Sequence, residues 1–261
     1  MKARIRTFPG GYLFKKFDGQ PRARIVSDEI PQRVVIPLKQ GFGEELPVQV
    51  NPGDPVQAGQ VVARDDETIC SPVHSSVNGA VETIEEFDIG GRKSKALVIQ
   101  SDGSSDWQRL EGASADWGSL SEAKLEELLY LSGVTALGSC GMPTRFKSSV
   151  IMPEEVEHVI VHHTEADIFN HSLDALWQDE RFDQFLEGLE IIRRVYPGAA
   201  VHLALSASQR DWWRRIEAAL ADQDGIGLCA VKPKYPQSFD EILIPTILEK
   251  DFPMGYSAAN V

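Results

Sequence analysis

The chain has 261 residues, 42% hydrophobic and 25% charged, an ordinary composition for one large or two moderate globular domains. Its formal net charge of −13 argues against a sequence-independent grip on nucleic acid and against direct adhesion to anionic lipid, both of which need a basic footprint. No apolar run is long enough to span a bilayer, and the start MKARIRTFPGG lacks the apolar core of a signal peptide. The three cysteines, Cys70, Cys140 and Cys229, form no CxxC. Together these features predict a cytoplasmic, reduced protein with no iron–sulfur or zinc ligand set of its own, in which any membrane association would go through another subunit.

The first hundred residues are rich in Gly, Pro and Val, and Arg33–Leu38 and Lys95–Ile99 read as strands. Between them, Val48–Ala63 has turns at Gly53-Asp54 and Gly59, with Val50, Val56, Val61 and Ala63 available for a small core. A second half follows at Ile69–Val81, in which Asn78-Gly79 predicts a tight turn. The two halves resemble the biotinyl/lipoyl barrel-sandwich family. Carriers in that family expose a lysine on the turn between the halves, whereas Gln60 to Ala80 contains none. The module is therefore expected to be a fixed part with no carrier prosthetic group.

The polar run Ser101–Asp106 reads as a linker, dividing the chain into residues 1–104 and 105–261. Beyond it, Ser119 and Glu122 have capping-box spacing, Leu125, Leu128 and Leu129 share a helical face, and Ser132-Gly133 is a stop. From Val156 onward strands and helices alternate. Strands are predicted at Val156–Val161, Ala200–Leu205 and Ile226–Val231. One amphipathic stretch carries Phe182, Phe185, Leu189 and Ile192, and a second helix runs from Trp212 to Leu220. Within Trp212-Trp213-Arg214-Arg215 one tryptophan should pack, the other be partly exposed, and the arginines face water. The order predicts βαβ units and a mostly parallel sheet. The expected class is α+β / α/β, a barrel-sandwich β domain followed by a Rossmann-like α/β domain. Phe252–Val261 reads like a loop entering another element, so the chain is expected to be the N-terminal part of a longer protein or a truncated relative of one.

The most chemically suggestive segment is Gly133-Val134-Thr135-Ala136-Leu137-Gly138-Ser139-Cys140-Gly141-Met142-Pro143-Thr144-Arg145-Phe146-Lys147. Small residues in a turn let backbone N–H groups converge on an anion and let a flat ring approach the main chain, and Lys147 adds a positive charge. A plain helix C-cap is the competing reading. The segment resembles the flavin-phosphate loop of the NADH-binding subunit of respiratory complex I and of the C subunit of the Rnf electron-transport complex. The pattern there is roughly G-[LI]-x-G-x-G-G-[AS]-G-F-P-T-x-x-K. This chain matches it at Gly133, Gly138, Gly141, Pro143, Thr144 and Lys147, and departs at Ala136, Ser139, Cys140 and Met142. Ser139 stands where the pattern has a glycine that leaves the ligand room. Phe8-Pro9-Gly10-Gly11, Val34–Gln40, Pro72-Val73-His74 and Lys234-Tyr235-Pro236-Gln237 also resemble the Rnf C subunit, so the likeness covers nearly the whole chain.

The resemblance implies flavin mononucleotide (FMN) held by Gly138, Ser139, Gly141, Thr144 and Lys147. It also implies NADH as electron donor, and partner subunits of a membrane electron-transport complex. It places Glu165 and Asp167 in the position of two acids near the flavin ring and nicotinamide, although both could equally cap the following helix. The iron–sulfur segments usual downstream in the Rnf C subunit lie outside this chain. Two relatives of other kinds share the architecture. One is the A subunit of the sodium-translocating NADH:quinone reductase, which implies a cofactor-free structural or quinone-site role. The other is the group of cobalamin-reductase-like proteins of bacterial microcompartments. His158, His162, His163 and His171 show no helical HExxH pair and read as structural rather than metal-binding.

Overall fold

The computed structural model describes residues 5–14, 29–135, 143–144, 156–164, 173–178, 180–221 and 225–251. They fall into two compact units, one within Ser27–Met152 and the other within Met1–Val26 together with Pro153–Ala258. The first strand, β1 (Ile5–Arg6), belongs to the second of these.

The first unit contains β2 (Arg33–Pro37), β3 (Pro55–Val56), β4 (Val61–Ala63), β5 (Val73–His74), β6 (Gly79–Ile89) and β7 (Arg92–Ser101). An antiparallel sheet runs in the order β2-β7-β6-β3, and β4 pairs with β5. Gly90 and Gly91, at φ 63° and 81°, form the turn between the two long strands, a pair of left-handed residues that matches the twist of a tight hairpin. The core gathers Ile36, Leu38, Val50, Val56, Val62, Val73, Val81, Leu97 and Ile99. Each fully buried side chain of this kind contributes about 1.5–3 kcal/mol. Val50, Val56 and Ala63 are buried as expected, but Val61 is only half-buried and Val62 takes its place, because a register shift between Val61 and Ala63 breaks the strand alternation.

Asn78-Gly79 is not a tight turn. Gly79 opens β6, paired with Ser101, and a Cβ there would overlap the Gln100 carbonyl oxygen. Asn78 is a buried bracket: its Oδ1 accepts from the Ala58 N–H at 2.8 Å, and its Nδ2 donates to the carbonyls of Ser104 (3.1 Å) and Asp106 (2.8 Å). The polar run that reads as a linker is thereby fastened along the β unit, and the Gln108 N–H continues the attachment to the Ala58 carbonyl.

The same unit runs on through helix α1 (Glu122–Leu131). Its N-cap is Ser121, which accepts from the Lys124 N–H, and not Ser119. Ser119 instead closes a short 3₁₀ turn and donates to the Asp116 carbonyl. Tyr130 on α1 joins the β core, and its hydroxyl donates to the Asp65 carbonyl at 2.8 Å with Asp66 Oδ1 at 3.1 Å.

The second unit contains β1, β8 (His158–His163), β9 (Ala200–Ser206) and β10 (Ile226–Val231), with helices α2 (Leu173–Leu176), α3 (Arg181–Val195), α4 (Arg210–Ala219) and α5 (Asp240–Leu248). Its sheet is parallel throughout, in the order β1-β10-β9-β8. Alternate residues face opposite layers. Leu203, Leu205 and Ala230 pack with Phe182, Leu189, Trp212 and Ile216, while Ala204, Cys229 and Val231 pack with Leu243 and Ile247 of α5. This is the predicted α/β arrangement of a parallel sheet covered on both faces. Both tryptophans of the predicted pair are buried, contrary to expectation: Trp212 Nε1 donates to Asp174 and Trp213 Nε1 to the Ser206 carbonyl. Arg215 does not simply face water either, since its guanidinium lies 4.3 Å from the Trp212 ring centre.

Replacing Asn78 by Ala removes three hydrogen bonds and strands the Ala58 N–H. The expected loss is about 2–4 kcal/mol of β-unit stability, measured by urea titration of amide exchange in β6 and β7.

Candidate functional site

Helix α1 carries no basic residue in its last turn. Its final carbonyls therefore need donors from elsewhere. The Ser132 N–H closes back on the Leu128 carbonyl and the Gly133 N–H on that of Tyr130. The Leu131 carbonyl faces His74 Nε2 at 2.8 Å. A carbonyl only accepts, so Nε2 carries the hydrogen and the tautomer follows from the partner. Gly133 then turns at φ 69°, and a Cβ there would sit 2.8 Å from His74 Cε1 and 3.1 Å from the Pro72 carbonyl oxygen. Glycine is required here twice over, for its backbone angle and for the imidazole beside it.

From this turn the chain enters the glycine-rich segment through a narrow neck. Thr135 and Pro143 pair as an antiparallel bridge, and the Thr144 N–H donates to the Val134 carbonyl at 3.1 Å. Thr144 is buried at 9% exposure, and its Oγ1 has no hydrogen-bond partner among the described residues. Burying an unpartnered hydroxyl costs about 1–3 kcal/mol, so a donor held in this way is chemically suited to a phosphate oxygen. Of the residues expected to hold the cofactor, Thr144 is the described one. Gly138, Ser139, Gly141, Lys147, Glu165 and Asp167 lie outside the described residues.

In the second unit, two distant motifs meet. Lys234 Nζ donates to the carbonyls of Phe8 and of Gly10 (2.6 Å) and lies over the Phe8 ring, 4.1 Å from its centre. Tyr12 and Tyr235 exchange backbone hydrogen bonds at 2.9 Å. Gln237 is buried, with Nε2 donating to Thr246 Oγ1 at 3.3 Å. The Phe8-Pro9-Gly10-Gly11 and Lys234-Tyr235-Pro236-Gln237 stretches thus form one structural clasp beyond the carboxyl ends of β1 and β10, a location where parallel sheets present ligand sites.

β8 runs two residues further than predicted, so His162 and His163 lie in the strand and not in the turn after it. His158 Nδ1 and His202 Nε2 are 3.2 Å apart on neighbouring strands. No group of three potential metal ligands occurs among the described residues, and no helix among them is long and apolar enough to cross a membrane. His74 and Gly133 are legible in the sequence only as members of motifs. The signal that would pair them is a lone imidazole on an otherwise apolar strand end.

A family model described as the Nuo51 FMN-binding domain matches residues 130–261, half of the chain, and one described as the RnfC barrel sandwich hybrid domain matches residues 6–104. The chain belongs to the Nuo51 FMN-binding domain family, as an RnfC-like protein. It is 26% identical over 263 residues to the C subunit of the proton-translocating ferredoxin:NAD(+) oxidoreductase complex of Clostridium ljungdahlii, covering 98% of this chain and 56% of that protein. It is 28% identical over 268 residues to the C subunit of the ion-translocating oxidoreductase complex of Serratia proteamaculans, covering 100% and 37%. The Vibrio cholerae protein of the same description is 24% identical over 258 residues, covering 97% and 33%. The RnfC-like chain therefore spans about half the length of the first relative and about a third of the other two.

Burial, His158 and Arg6 hold the His202 imidazole below its ordinary value of 6.5. The folded state then binds fewer protons than the unfolded state below about pH 6.5, so this contribution is complete above that value and lost as pH falls. Thermal unfolding at about pH 5.5 is expected at a lower midpoint than at about pH 7.5, with a shallower dependence in His202→Gln.

Proposed function

We propose that this chain is the flavin- and NADH-handling part of a membrane-associated, ion-translocating electron-transport complex, passing electrons to a partner protein. The observation that carries the reading is the buried Thr144 hydroxyl at the neck of the glycine-rich loop, unpartnered among the described residues, in a chain of the Nuo51 FMN-binding domain family. The names of the relatives, each a component of a translocating oxidoreductase complex, support the assembly.

In this reading the backbone of the loop around Gly138, Ser139 and Gly141, the Thr144 hydroxyl and the Lys147 ammonium hold the phosphate, and Glu165 and Asp167 stand near the ring and the nicotinamide. Bound FMN supplies hydride acceptance from a nicotinamide and onward transfer of single electrons. The work of this chain is to bind and orient. The Thr144 hydroxyl donates to phosphate, and Lys147 balances its charge. The acids set the local charge that favours or disfavours a proton at the ring.

Ser139, in place of the glycine of the family pattern, favours a second reading, a cofactor-free structural role like that of the A subunit of the sodium-translocating NADH:quinone reductase. Absorbance in the flavin bands after reconstitution with FMN separates the two. A chain that stays colourless, and gains flavin only as Ser139→Gly, would overturn the first.

Thr144→Val keeps the shape and removes the donor. FMN affinity is expected to fall roughly tenfold, read by quenching of flavin fluorescence. The flavin-free variant is expected to melt at or above the wild-type temperature, because a buried hydroxyl without a partner is lost.

A further inference from the structure

The β module meets the start of the glycine-rich segment through the His74 side chain. We propose that His74 is a positioning residue for the phosphate-binding loop, acting through the Leu131 carbonyl and Gly133 rather than by touching the ligand. The ligand named, a flavin phosphate, rests on the reading given above. The ordering of the loop neck by His74 does not.

Three features converge on this assignment. The last turn of α1 has no basic side chain of its own, so His74 supplies from another element the donor that its Leu131 carbonyl lacks. The imidazole also occupies the space that any side chain at position 133 would need, which ties the ring to the residue where the chain leaves the helix at φ 69°. The distance along the chain is short. Leu131 is three residues before Val134, whose carbonyl receives the Thr144 N–H, and Thr135 pairs with Pro143.

The neighbouring tether has a different task. Tyr130 is fixed to the Asp65 carbonyl and Asp66, which holds the body of the helix against the β core. That contact sets where α1 lies. The His74 contact sets the direction in which the chain departs. Losing the imidazole N–H leaves the helix seated while the exit turn, and with it the hydroxyl of Thr144, loses its fixed orientation.

The test uses the full chain and three substitutions. His74→Phe keeps a ring and removes the donor, His74→Gln restores an amide donor, and Gly133→Ala drives a Cβ into the ring. Amide exchange at Ser132–Thr135 and Thr144 is measured without flavin, FMN affinity by fluorescence quenching, and the melting midpoint in parallel. His74→Phe and Gly133→Ala are expected to speed exchange at the neck and weaken FMN roughly tenfold, while His74→Gln returns affinity to within roughly threefold of wild type. A His74→Phe protein that melts lower but keeps wild-type neck exchange and FMN affinity would show a merely structural histidine and overturn the proposal. If the wild-type chain binds no FMN, the functional reading fails on its own. The exchange arm still decides, since unchanged neck exchange in His74→Phe overturns the positioning role and faster exchange supports it. Should His74→Phe not fold, Gly133→Ala carries the test: faster neck exchange with weaker FMN binding supports the proposal, and wild-type neck exchange overturns it.

Discussion

A helix that ends without a cation in its last turn leaves carbonyls that something must satisfy, and in this chain the donor for Leu131 comes from the Pro72-Val73-His74 strand. That hydrogen bond organises the first unit more than its size suggests. A net bond is worth only about 0.5–1.5 kcal/mol. Its geometric consequence is larger, because the same imidazole excludes a side chain at residue 133 and the chain must turn there with a positive φ. A β module and a helix exit are thus specified together. Neither the glycine nor the histidine is interpretable without the other.

The connection between the two halves of the β module is used in the same spirit. Asp65 gives its carbonyl to Tyr130 and to the Cys70 thiol, and the Asp66 carboxylate adds to the Tyr130 contact. Burial, with Cys70 and Asp66 close by, pushes the Tyr130 phenol well above its ordinary range, so it remains a neutral donor at any physiological pH. The connection thus receives a helix. Asn78 supplies the second fastening, fixing both Ala58 and the Ser104–Asp106 strip. A buried amide with three satisfied bonds is a stiff joint, since breaking the one to the Ala58 N–H leaves a buried donor without a partner.

Much of this architecture is legible from local pattern, and what is not has a common physical cause. Ile226–Val231 reads with its observed bounds, and the buried run Ala96–Ile99 reads as strand, because a continuous apolar run bounded by polar residues specifies its own environment. Asn78-Gly79 misleads because its local chemistry is that of a turn, while its role is set by Gln100 across the sheet and by Ala58 twenty residues earlier. The burial of both Trp212 and Trp213 depends on Asp174 and the Ser206 carbonyl, partners that no helical periodicity announces. β1 has only two residues, and its pairing with β10 joins positions more than two hundred apart. For the site, the motif pattern points to Thr144, and only the packed structure reveals that its hydroxyl is buried with no partner among the described residues.

The neck also separates two properties that a loop usually mixes. The Thr135–Pro143 bridge and the Thr144–Val134 bond hold the two ends of the neck together, so the entropy of bringing them close is met by contacts of the ends themselves. Substitution between such ends leaves the anchoring intact and acts on the room offered to a ligand. Gly133 and His74 fall in the anchoring class, and Ser139, standing where the family pattern has glycine, lies outside the described residues. A chain can therefore keep every fastening of a flavin loop while its interior drifts towards or away from flavin. The β module takes part in that anchoring through His74, whose Nε2 donates to the Leu131 carbonyl at 2.8 Å beside the turn at Gly133.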